Sequence, residues 1–192
     1  KLPDLKGRPY LLFLGRIHPK KGVDLLIQAY SDALSTEKLK ASPPCLVIAG
    51  PGWETIYGKQ MQQLIEASTA RLLAENSKLK TVPPILRVGM LEGNAKWGAL
   101  YGCEAFILPS HQENFGIAVV EALACNKPVL ISKNVNIWRE ISDANAGIIM
   151  SNDFESIRKG ILDYTNILSS PEKVFFTQPL DCYKKYFKVK PT

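Results

Sequence analysis

An α/β fold with a doubly wound, mainly parallel six-stranded sheet is predicted by two observations. Short, continuously apolar runs alternate with amphipathic or helical patterns along the chain, as strands do when helices cover both faces of a sheet. Glycine-containing turns follow the apolar runs, at the ends where such sheets bind ligands. The strands are expected at Tyr10–Leu14, Cys45–Ala49, Ile85–Val88, Ala105–Leu108, 128–132 and 146–150, and the helices at about 23–34, 54–74, 95–101, 117–125 and 154–168. Stretches 35–44 and 76–84, rich in prolines or polar residues, read as surface connections inside one Rossmann-like domain covering 1–192.

Composition bounds the function classes. With 46% apolar and 22% charged residues, the 192-residue chain is ordinary globular material. No apolar stretch approaches the roughly 20 residues that span a bilayer, and the start at Lys1 lacks a signal-peptide core, so a cytoplasmic location is expected. Cys45, Cys103, Cys125 and Cys182 are scattered singly, which fits reduced, buried thiols better than a zinc site or disulfide framework. The net charge of +6 is compatible with nucleic acid, an anionic membrane or an anionic small ligand. Lysines and aromatics alternate in 183–190, read as a solvated helix face with its rings turned inward; with no RNA-binding motif or zinc-finger spacing, no nucleic acid partner is expected.

The chemistry sits in the turns. After the first strand come Gly15-Arg16 and Lys21-Gly22, a planar guanidinium and a mobile ammonium suited to a diphosphate. This is not a Walker loop, because Val23 stands where the hydroxyl should follow Lys-Gly. Gly50-Pro51-Gly52 follows the second strand and lacks the third glycine of a dinucleotide fingerprint, so it reads as a tight turn. After the fourth strand, Glu113 and Glu121 flank Gly116 and a helix start, two carboxylates either side of an anion site. A loop acid and a helix-surface acid at accidental spacing is the plainer reading of that pair. Glu121, however, lies among Ala118, Val119, Val120, Ala122 and Leu123, so it must enter a cleft or find a partner. His18 and His111 read as loop residues without a nucleophile beside them.

These residues together resemble the C-terminal, donor-binding half of the retaining GT-B glycosyltransferases of family four, also called glycosyl transferases group 1. The resemblance runs through Phe13-Leu14-Gly15-Arg16, Lys21-Gly22, Leu46 to Gly52, Arg87-Val88-Gly89, Leu108-Pro109-Ser110, Glu113-Asn114-Phe115-Gly116, Glu121-Ala122-Leu123-Ala124 and Pro128-Val129. It implies a nucleoside-diphosphate sugar as donor and a hexosyl transfer to a glycan or lipid-linked acceptor. Arg16 and Lys21 would neutralise the leaving diphosphate, with Gly15 beside them, and Glu113 would meet hydroxyls of the transferred sugar. Phe115, Gly116 and Ile117 would offer backbone N–H groups near the sugar and diphosphate, with Asn114 counted among the substrate-binding residues, Glu121 would hold the ribose, and backbone at Gly89, Met90 and Leu91 would meet the base. No cofactor and no metal are expected, since the two cations do what a divalent ion does elsewhere.

The resemblance also implies polysaccharide or glycolipid synthesis, with the full-length enzyme peripheral to the inner face of the membrane. Two departures stand out. Asn134 to Glu140 replace the Gly-Gly and Pro-Glu that many members carry after the fifth strand. The chain is also expected to lack the N-terminal acceptor domain and the final crossover helix, leaving the fragment inactive alone. Weighed against this are a non-catalytic nucleotide-binding module, a sugar-nucleotide epimerase or phosphorylase of the same architecture, and a dehydrogenase, which the missing glycine fingerprint disfavours most. Base, sugar and acceptor stay open.

Overall fold

A computed structural model of the chain describes residues 5, 7–36, 43–75, 84–170, 176 and 179–188. Six parallel strands form one sheet: β1 (Tyr10–Leu14), β2 (Cys45–Ala49), β3 (Ile85–Val88), β4 (Ala105–Leu108), β5 (Val129–Ser132) and β6 (Gly147–Met150). Their order is β3-β2-β1-β4-β5-β6, with every adjacent pair parallel. The order reverses between β1 and β4, which sets the ligand crevice at the carboxyl ends of those two strands. All residues of β2, β4 and β5 are buried, and β1 is buried up to Leu14. That explains why these strands read as unbroken apolar runs instead of alternating ones.

The helices are α1 (Val23–Thr36), α2 (Ile56–Glu75), α3 (Gly93–Gly102), α4 (Ile117–Ala124), α5 (Trp138–Asp143), α6 (Phe154–Ser169) and α7 (Pro179–Cys182), the last running into a π-helical turn at Tyr183–Phe187. α1 packs on α2 and α6, while α4 packs on α3, α7 and the π turn, so the sheet is covered on both faces. The hydroxyls of two core tyrosines are bonded: that of Tyr30 donates within 2.7 Å and 2.9 Å of the carbonyls of Pro44 and Pro84, and that of Tyr10 donates to Ala99 O at 2.7 Å. Burial drives both phenols well above the ordinary tyrosine range.

The strands lie where the sequence places them, with β5 and β6 each starting one residue later than expected. The sequence does not announce α5 and α7. α5 spans six residues behind Ile137, which provides no side-chain cap, so neither periodicity nor a start signal marks it. In the π turn, Tyr183, Tyr186 and Phe187 pack against the core while Lys184 and Lys185 are exposed, as expected of 183–188. Most of the connections at 35–44 and 76–84 lie outside the described residues, and Ser35 ends inside α1. All four cysteines are free and buried.

Candidate functional site

The crevice at the switch point is built from backbone first. The 15–22 loop after β1 turns through a short 3-10 segment, Pro19–Lys21, capped by His18, whose Nδ1 accepts from Lys20 N at 3.1 Å. It ends at Gly22 in the left-handed region, where a Cβ would run into the carbonyl oxygen of Pro109 after β4. The two loops are also sewn together by His111 N donating to Lys20 O at 2.8 Å and by Ser110 Oγ, 2.8 Å from the same oxygen. Beyond them, Gly15 N donates to Ala49 O, Ile17 N to Pro51 O and Gly50 N to Gly89 O, all within 3.1 Å. The turns after β1, β2, β3 and β4 thus form one continuous rim.

Glu113 is held on this rim by both of its peptide groups. Its N–H donates to Asn134 O, and its carbonyl accepts from Asn136 N, each at 3.0 Å, so the 134–136 segment lies beside it as a short parallel bridge with Val135. Ser132 Oγ donates to Ser110 O at 2.5 Å, and Asn134 Nδ2 to His111 O at 2.8 Å. The segment that departs from the family pattern therefore acts as a backbone brace for the loop acid. The Glu113 carboxylate is ion-paired with the Lys21 ammonium across the switch point, both side chains about three-quarters covered. Arg16 is exposed on the same loop as Lys21, and among the described residues its guanidinium has no acidic partner.

Gly116 caps α4 in the left-handed region, φ 70°. A side chain there would press on Val119, Val135 and Glu113. The first N–H groups of α4 have no preceding carbonyl in the helix and point out of its start, a site for anionic oxygens. Phe115, half-exposed, meets Phe187 edge to face at 6.1 Å, so the π turn steadies the loop entering α4. Ile117 is 68% exposed at the rim and Met90 61%, beside Gly89 and the half-buried Leu91. His111 is exposed, its Nδ1 2.6 Å from Asn152 Nδ2.

Glu121 meets the condition its apolar surroundings set: it has a partner. Lys96 Nζ on α3 lies 2.6 Å from Glu121 Oε1. Sequence reasoning singles out the acid and misses the lysine. A signal exists, because Lys96 and Glu121 are each the lone charged residue of their helix. Of the residues expected at the site, Lys21 and Glu113 are brought into contact. Arg16, Asn114, Phe115, Gly116 and Gly89 to Leu91 lie on the loops that follow β1, β4 and β3, Ile117 is the first residue of α4, and Glu121 sits further along α4, paired with Lys96 of α3.

Fold and crevice together define a Rossmann-like domain whose switch point carries Arg16, the Lys21–Glu113 pair and the start of α4 on neighbouring loops. The chain matches the model of glycosyl transferases group 1 over residues 1–173 and belongs to that family. The D-inositol 3-phosphate glycosyltransferase of Jonesia denitrificans is 25% identical over 153 residues, covering 79% of this chain and 33% of that protein. Its counterpart in Kineococcus radiotolerans is 29% identical over 139 residues, 71% of this chain and 29% of that protein. The chain spans about a third of the length of these curated relatives. Among solved structures, sucrose-phosphate synthase from Thermosynechococcus elongatus superposes with a TM-score of 0.68 at 19% identity, over 95% of this chain and 42% of that one. Anabaena HepE in complex with UDP gives 0.68 at 18% identity, over 94% and 45%. At these identities the structural likeness speaks for the fold. Among the described residues no helix is long and apolar enough to cross a membrane.

Proposed function

We propose that the chain is the donor-binding domain of a retaining glycosyltransferase that moves a hexosyl group from a nucleoside-diphosphate sugar to a glycan or lipid-linked acceptor. The observation that carries this reading is the Lys21–Glu113 contact across the β1/β4 switch point, with Arg16 on the same loop and the start of α4 beside it. Cleaving the anomeric carbon–oxygen bond places positive charge on the sugar and negative charge on the departing diphosphate. Cations fixed at the diphosphate stabilise that separation more than the ground state, so Arg16 and Lys21 are assigned to the leaving group. They take the role a divalent ion plays in other transferases, and the reading includes no metal requirement.

Glu113 is assigned to the hydroxyls of the transferred sugar, where a carboxylate accepts charge-assisted hydrogen bonds. Glu121 is assigned to the ribose, the backbone of Phe115, Gly116 and Ile117 to sugar and diphosphate, and that of Gly89, Met90 and Leu91 to the base. Retention of configuration, the N-terminal partner domain and a cytoplasmic site at the inner membrane face come from the family resemblance. The chain by itself binds donor and does not transfer sugar, because water exclusion needs the second domain.

Calorimetric titration with UDP, GDP and ADP tests the assignment and identifies the base. One nucleotide is expected to bind, more weakly to Lys21→Ala and Glu121→Gln. Absence of binding by all three, or wild-type affinity in both variants, overturns the reading.

A further inference from the structure

The assignment of Glu121 to a ribose belongs to the proposed function, and the role inferred for Lys96 rests on it. The Lys96 ammonium is confined from two sides: Nζ lies 2.6 Å from Glu121 Oε1 and 4.7 Å from the centroid of the Trp97 ring. Both charged side chains are mostly covered, at 26% and 20% exposure. A lysine carries large rotamer entropy, and here that freedom is already restricted by a carboxylate and an aromatic face. The lysine in turn restricts the acid. A carboxylate at the end of a flexible side chain turns about its last torsion, and an ammonium fixed at one oxygen sets the plane of the group.

The occupancy leaves room for a diol. A carboxylate offers about four lone-pair sites on two oxygens, and Lys96 occupies one of them. Two vicinal hydroxyls need one site on each oxygen. We infer that Lys96 is a positioning residue of the ribose subsite: it orients the Glu121 carboxylate so that both oxygens accept from the 2′ and 3′ hydroxyls, and so sets selectivity for ribonucleotides over 2′-deoxyribonucleotides. Two plainer roles compete. A brace between α3 and α4 affects stability and leaves nucleotide choice alone, and a cation that attracts the diphosphate affects both nucleotide classes equally.

The experiment titrates the chain with whichever of UDP, GDP or ADP it binds and with the 2′-deoxy form of that nucleotide, by calorimetry. Wild type is expected to prefer the ribonucleotide by about tenfold or more, the worth of a hydrogen bond to a charged group. Lys96→Met is expected to erase most of that preference by weakening the ribonucleotide alone, and Lys96→Arg to restore it, with circular dichroism showing the fold intact in both. Unchanged preference in Lys96→Met, equal weakening of both nucleotides, or tighter ribonucleotide binding overturns the proposal. Glu121→Gln separates the two levels. If it loses the preference while Lys96→Met keeps it, only the positioning role falls; if it keeps the preference, or if no nucleotide binds, the ribose reading falls and takes this inference with it.

Discussion

Two lysine–glutamate pairs stand on the carboxyl side of the sheet, alike in exposure and different in what holds them. Lys21 and Glu113 both sit on loops, and those loops are fixed by backbone hydrogen bonds to one another and to the 134–136 segment. Lys96 and Glu121 sit on α3 and α4, where the helices themselves fix the backbone and only side chains meet across the gap. Loop geometry of the first kind demands special residues, whereas helical geometry of the second kind tolerates many. The half that places charge at the switch point is therefore the half with least freedom to vary, and the difference can be measured.

The largest effect is expected from the charge itself. In the full-length enzyme, Lys21→Ala should lower kcat by about 10²–10³-fold, about 2.7–4 kcal/mol, the usual cost of losing one preplaced group that stabilises developing negative charge. A steady-state assay with donor and acceptor measures it. Loss confined to KM would place Lys21 in ground-state binding alone and break the contrast.

Next comes the backbone that presents it. Gly22→Ala is expected to destabilise the chain by about 2–4 kcal/mol, because a left-handed residue gains a Cβ directed at the carbonyl of Pro109. Urea unfolding gives the value. A change below about 1 kcal/mol would mean that the two loops can separate at little cost, contrary to their hydrogen bonding.

Legibility in the sequence divides along the same line. The strands can be read because burial on both faces leaves uninterrupted apolar runs bounded by turn residues, as in Ala105–Leu108 followed by Pro109-Ser110. The rim can be read because left-handed or close-packed positions such as Gly22 and Gly116 leave glycines in the sequence. Contact between distant segments stays hidden. Nothing local in Asn134-Val135-Asn136 announces that its backbone brackets Glu113, because peptide groups carry no sequence signature. Lys96 is a long polar side chain on an exposed helix until α4 is packed against α3. α5 is too short to show a period, and its start lacks a capping side chain.

The helical half has its own dependence on condition. Cys103 closes α3 and Cys125 closes α4, and burial pushes both thiols up, Cys103 from 9.0 to about 12. A thiol kept neutral by folding contributes stability that is complete below its unfolded value and is lost as pH rises toward its folded one. Stability should therefore fall above about pH 9, by on the order of 1 kcal/mol for Cys103 at pH 10, with Cys125 acting in the same direction. Melting curves from pH 7.5 upward check the sign, and Cys103→Ala should flatten the decline. A rising or level melting temperature to pH 10 would show that these thiols ionise freely.

The smallest effect has the opposite sign. Gly98 lies inside α3, its φ outside the left-handed region, and a Cβ there would meet nothing within 4 Å. Gly98→Ala thus adds no clash and removes unfolded-chain freedom that glycine alone has, a gain of about 0.5–1 kcal/mol. The same substitution at Gly22 costs several times that, so the two alanine variants, measured side by side in urea, report directly on how each half is built. Equal and unfavourable shifts would place α3 under the same backbone restriction as the switch-point loop, and the Lys96–Glu121 pair would then owe its geometry to more than two facing helices.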